Sequence, residues 1–116
     1  MNYLPGQVVL VDWRDGLPKE PNKKRPAIVV EDRDLFDDTY PNLILVPLAE
    51  DPHLAIEDLS VKIPPTMENG CTKLCYALAH HVTTTSKRRI TSTPSRITNA
   101  QLAEIRRLIA IAIGLD

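Results

Sequence analysis

Side chains able to do chemistry gather at three places in this chain. Lysines and arginines cluster at Lys19, Lys23, Lys24 and Arg25 and again at Lys87, Arg88, Arg89 and Arg96. Such patches can neutralise several phosphates of a polyanion even though the formal net charge is only -1. The ordinary alternative is a set of solvated faces. His80 and His81 stand side by side, and imidazoles are the side chains that take up or release a proton near neutral pH. Their ordinary use is one ring toward the core and one at the surface. His53 falls in a turn and is a weaker candidate. Cys71 and Cys75 complete the inventory. Their spacing to each other and to the histidines does not match the usual Cys-x2-Cys or His-x3-His ligand pairs, so no metal site and no cofactor is expected.

The elements that must hold these groups are mostly strands. Pro5-Gly6 signals a turn, and residues 7–13 are β-branched and too apolar for a surface helix. Residues 14–25 carry Gly16, Pro18, Pro21 and Asn22 among charges, a loop of about 12 residues where hairpins use 2 to 5. Loops of that length tend to be functional or disordered. Strand patterns resume at 26–30 and 43–46, with Pro47 expected to end the pairing because it has no N–H to give. Leu59 to Ile63 alternates apolar and polar residues, Asn69-Gly70 marks a turn, and Lys73 to Thr85 reads as one long strand or two short ones. On a strand, His80 and His81 would point to opposite faces. Only the last segment is helical. Thr98 and Gln101 fit a capping box, Ile97 and Leu102 a hydrophobic staple, and Leu102, Ile105, Leu108, Ile109 and Ala112 one apolar stripe, with Gly114 as the stop.

With 116 residues, 43% hydrophobic and 25% charged, the chain fits a single soluble domain spanning 1–116. The longest apolar run, Leu108 to Ile113, is too short to span a bilayer. No signal-peptide pattern opens the chain, and two cysteines do not make a disulfide framework. A cytoplasmic protein with reduced thiols is expected. Short strands followed by one helix predict a mainly β fold, a strongly bent sheet or small barrel capped by a C-terminal helix.

The order Pro5-Gly-Gln-Val-Val-Leu-Val-Asp-Trp13, charged loop, Lys24-Arg25-Pro26-Ala-Ile-Val-Val30 resembles the start of the MazF/PemK toxin family. Leu45-Val-Pro-Leu48, the Asn69-Gly70 turn, the segment Val82 to Ile90 and the terminal Ile-Gly-Leu115 are similar to its later parts. The resemblance implies an SH3-like barrel with a terminal helix, usually a homodimer. It also implies metal-independent, sequence-selective cleavage of single-stranded RNA, leaving a 2′,3′-cyclic phosphate and a 5′-hydroxyl. The expected partner is an antitoxin whose acidic tail covers the RNA groove.

Carried over, Arg25 stands at the family's active-site arginine. A fixed guanidinium there can hold the scissile phosphate through two hydrogen bonds, although a plain salt bridge is the alternative use. His80 or His81 would share the proton transfers. Lys23, Lys24, Thr83 and Lys87 would bind RNA. Trp13 could stack a base, though burial is its more common use. One departure matters: many members carry a threonine just after the third strand, and this chain reads Pro47-Leu48-Ala49. The missing hydroxyl keeps a second reading open, a catalytically impaired protein that binds RNA or antitoxin. A gyrase-directed toxin of the CcdB kind is a further alternative, although the chain lacks the Trp-Gly-Ile end expected for it.

Overall fold

The computed structural model describes residues 3–13 and 24–115. Lys19, Lys23 and most of the long loop lie outside them. Among the described residues the strands are β1 (Gln7–Asp12), β2 (Lys24–Val29), β3 (Asn42–Ala49), β4 (Ser60–Ile63), β5 (Cys75–Leu78), β6 (Thr83–Ser86) and β7 (Ile90–Arg96), and one helix, α1 (Asn99–Ala112), closes the chain. The strand order is β4-β5-β3-β2-β1-β7, with β6 also paired to β3. All of these pairings are antiparallel.

The sheet bends at β3. One edge of β3 pairs with β2. The other is divided, with β6 along Asn42 to Leu45 and β5 along Leu48 and Ala49. This overturns the expectation that pairing stops at Pro47, which sits opposite Ala27 within the strand. Val30 N–H donates to the Ile44 carbonyl across the β2 edge at 3.1 Å, and alternation along the ladder turns the Pro47 nitrogen toward the other edge. There the partner strand is changing, so no donor is required.

The interval between β5 and β6 is a 3₁₀ turn, Ala79–His81. The histidines therefore do not alternate across a strand as expected from the sequence. They share one tight turn, which α1 and β3 pack against.

The central strands are buried on both faces, which explains their nearly continuous apolar sequence. Val8, Ile28, Val46 and Leu48 meet Leu102 and Ile105 of α1 on one side. Val9, Val11, Ala27, Val29, Leu43 and Leu45 form the other, against which Trp13 packs. The helix has the expected capping box and buries Leu102, Ile105 and Leu108, while Ala112 is exposed rather than part of the stripe. Its end is a Schellman turn: Gly114 at φ 84° donates to Ile111 at 3.0 Å and Leu115 to Ala110 at 2.7 Å. Arg106 fastens the helix to the end of β2, donating to the carbonyls of Val30 (3.0 Å) and Glu31 (2.9 Å).

Candidate active site

Register brings Arg25 to the third strand. Val11 pairs with Arg25 across β1–β2, and Ala27 pairs with Pro47 across β2–β3. Two residues further along that second pairing, Arg25 and Ala49 occupy matching positions on neighbouring strands. Arg25, Ala27 and Val29 share one face of β2. On β1 that face carries Val9, Val11 and, one step past the strand, Trp13, a diagonal neighbour of Arg25.

These ends of β1, β2 and β3 open into a cleft of about 500 Å³. Trp13, Arg25 and Pro26 supply one side. Pro47 to Asp51 form its floor and rim, with Leu54 beyond them, and Leu78 and His81 close it from the 3₁₀ turn. Arg25 and His81, far apart in sequence, thus face one concavity. His81 is exposed at its mouth. Burial against the wall, and secondarily the neighbouring His80, hold the His81 imidazole below its ordinary value, so in the unliganded protein it is mostly neutral at pH 7.

His80 does not line this cleft. It is half-buried behind His81, ring edge to ring face with centroids 4.4 Å apart, and its Nδ1 is buried without a hydrogen-bond partner among the described residues. Lys24 is exposed beside the cleft-forming strand end, its Nζ donating to the Thr91 hydroxyl at 2.9 Å. Thr83 pairs with Leu45 and lies outside the cleft lining. Lys87 also lies outside it, at the Asn42 end of β3, where its Nζ donates to the Asp38 carbonyl at 3.2 Å. Lys23 falls outside the described residues.

Two acidic residues in the cleft were not singled out from the sequence. Asp51 is already engaged: it caps the turn Pro52–Leu54, accepting from the His53 N–H at 2.9 Å and meeting His53 Nδ1 at 3.0 Å. The hydrogen bond from the His53 backbone and then that from its ring lower its pKa. Glu50 is exposed and makes no hydrogen bond to another described residue. The signal that could have found it was its place directly after Ala49. The thiols are a different matter. Burial first, then the hydrogen bond and charge of Cys71, push Cys75 up to about 12, so it stays a thiol at neutral pH and is a poor nucleophile. No group of three or more potential metal ligands occurs among the described residues, and no helix among them is long and apolar enough to cross a membrane.

Comparison with known proteins supplies a family. A profile described as PemK-like, MazF-like toxin of type II toxin-antitoxin system matches residues 4–113. Among solved structures, an endoribonuclease in complex with its cognate antitoxin from a mycobacterial species superposes with a TM-score of 0.77 at 20% identity, covering 99% of this chain and 98% of that one. A MazE-MazF complex from Deinococcus radiodurans gives 0.68 at 19% identity, covering 99% and 100%. The Mycobacterium tuberculosis toxin MazF-mt6 gives 0.72 at 14% identity, covering 95% and 98%. At these identities the likeness is one of fold. No curated protein sequence gives a significant match.

Proposed function

The chain belongs to the PemK-like, MazF-like toxin family of type II toxin–antitoxin systems, and from that premise we propose that it is a metal-independent endoribonuclease acting on single-stranded RNA and silenced by a cognate antitoxin. The observation that carries this reading is the convergence of Arg25 and His81 on one cleft, on a fold shared with a protein named as an endoribonuclease. Cleavage by the ribose 2′-OH develops extra negative charge on a pentacoordinate phosphorus. A guanidinium can hold that charge through two parallel hydrogen bonds. The reaction also moves two protons, one off O2′ and one onto the leaving O5′, and His81 is placed to move one of them. His80 sets the position of His81 from behind. Lys24 draws the backbone toward the strand end, and Lys23, Thr83 and Lys87 extend the RNA path. The products are a 2′,3′-cyclic phosphate and a 5′-hydroxyl, and the working unit is a homodimer in the cytoplasm.

A second reading draws on Ala49, which faces the position of Arg25 with a methyl group where many family members carry a hydroxyl. On that reading the cleft binds RNA or antitoxin without cutting. One experiment separates the two. End-labelled single-stranded RNA is incubated with the protein in EDTA, with Arg25→Ala protein purified in parallel. Discrete cuts bearing cyclic-phosphate ends, reduced at least 100-fold (about 2.7 kcal/mol) in the Arg25→Ala protein, are expected. RNA left intact at high protein concentration would favour the binding reading.

A further inference from the structure

We propose that Glu50 is the general base of the cleft and His81 its general acid, an assignment that rests on the endoribonuclease reading above. Transfer of two protons needs two groups, and the cleft offers three candidates besides Arg25: Glu50, Asp51 and His81. Asp51 is spent on capping the following turn and on His53, and those bonds make its carboxylate less basic. Glu50 has neither tie. It follows Ala49 directly, and Ala49 stands at the strand position matching Arg25. Glu50 lines the same cleft as Arg25, without hydrogen bonds to another described residue that would hold it elsewhere.

The roles divide by charge. An ionised carboxylate can accept a proton but has none to give, so the proton for O5′ comes from the imidazole. Glu50 takes the hydrogen of the 2′-OH, O2′ bonds to phosphorus, and Arg25 holds the phosphorane. The P–O5′ bond then breaks as His81 passes its Nε2 or Nδ1 proton to O5′. Atoms and charge balance without metal or cofactor. In the free protein His81 is mostly neutral at pH 7. A bound phosphate beside it favours the imidazolium, so substrate itself loads the acid. The charged and titratable groups around Glu50 are Arg25 of β2, Asp51 and His53 of the next turn, Cys75 of β5, and His81 backed by His80. Of these, Cys75 keeps its proton across the range in which the protein is assayed.

The test uses the intact protein and two oligoribonucleotides containing its cut site. One is natural; in the other the 5′-oxygen of the scissile bond is sulfur, which leaves without a proton. Glu50→Gln is expected to slow cleavage about 10²- to 10⁴-fold on both substrates. His81→Asn should lose a comparable factor on the natural substrate and recover most of it on the sulfur one. Glu57→Gln, an exposed carboxylate in a different depression beside Glu104 and Arg107, should cut normally. Binding of an uncleavable 2′-deoxy analogue, measured on every variant, separates a loss of cleavage from a loss of affinity: Glu50→Gln should bind at least as tightly as the parent and His81→Asn somewhat more weakly. The alkaline limb of the parent, set by His81, should lie higher in kcat than in kcat/KM. Glu50→Gln protein cutting within about threefold of the parent, or rescued by sulfur, would overturn the assignment alone. A parent protein that cuts neither substrate would overturn the endoribonuclease reading and this assignment with it.

Discussion

Ala49 puts a methyl group at the strand position that faces Arg25, where the resemblance to the family leads one to expect a threonine. A hydroxyl there would add one donor to the phosphate oxygens as their charge grows. Hydrogen bonds to charged groups contribute about 1.5–3 kcal/mol, and each 1.4 kcal/mol is a factor of ten in rate. Ala49→Thr is therefore expected to raise kcat by roughly tenfold or more. The site tolerates the change: threonine is at home in a strand, and Ala49 is only half-buried. Single-turnover cleavage at saturating protein measures this. A rate that stays level would mean that a hydroxyl at position 49 does not reach the phosphate oxygens in this cleft.

Most of the elements were legible because their signals were local. The capping box at Thr98 and Gln101, the staple of Ile97 on Leu102 and the positive-φ Gly114 all depend on a few adjacent residues. The turn at Asn69-Gly70 was equally visible, though not what it holds. Asn69 is buried, its Oδ1 accepting from Thr66 N–H (3.1 Å) and Cys71 N–H (2.9 Å) while its Nδ2 donates to the Pro64 carbonyl (2.8 Å). Asn69→Ala would strand three backbone groups and is expected to cost about 2–3 kcal/mol in urea unfolding, with an unchanged m-value.

What stayed hidden was non-local. β7 reads as a polar segment interrupted by Pro94, yet it pairs with β1 as an edge strand across an irregular register, and the Thr93 hydroxyl bonds the Val8 carbonyl. The 3₁₀ turn that carries His81 to the cleft lies where β3 exchanges one partner strand for another beside Pro47. Nothing within residues 73–85 announces that exchange. For the same reason the sequence motif could point to Arg25, whereas the cleft that Arg25 shares with Glu50 emerges only from the strand pairing.

At the scale of the whole molecule, the charge segregation seen in the sequence becomes a geometry. Lys24 and Arg25 sit at one end of the β2–β3 pair, and Lys87 at the other, beside Asn42. The length of β3, Asn42–Ala49, separates the two by roughly 20 Å at about 3.3 Å per residue. Lys87 also lies against Asp37 and Asp38, and its charge helps to lower the Asp37 pKa after the larger effect of the Thr39 hydrogen bonds. One short RNA segment cannot engage both ends. Affinity for an oligonucleotide just long enough to fill the cleft should thus fall with Lys24→Ala and stay unchanged with Lys87→Ala. A strand several times longer should feel both. Removing one lysine–phosphate pairing reduces the slope of log K against log salt by about 0.7 for single strands. A salt titration with short and long uncleavable RNA therefore reads out directly how many phosphates the protein neutralises. A Lys87→Ala effect already present on the short strand would require the RNA to enter along β6 rather than across the end of β2.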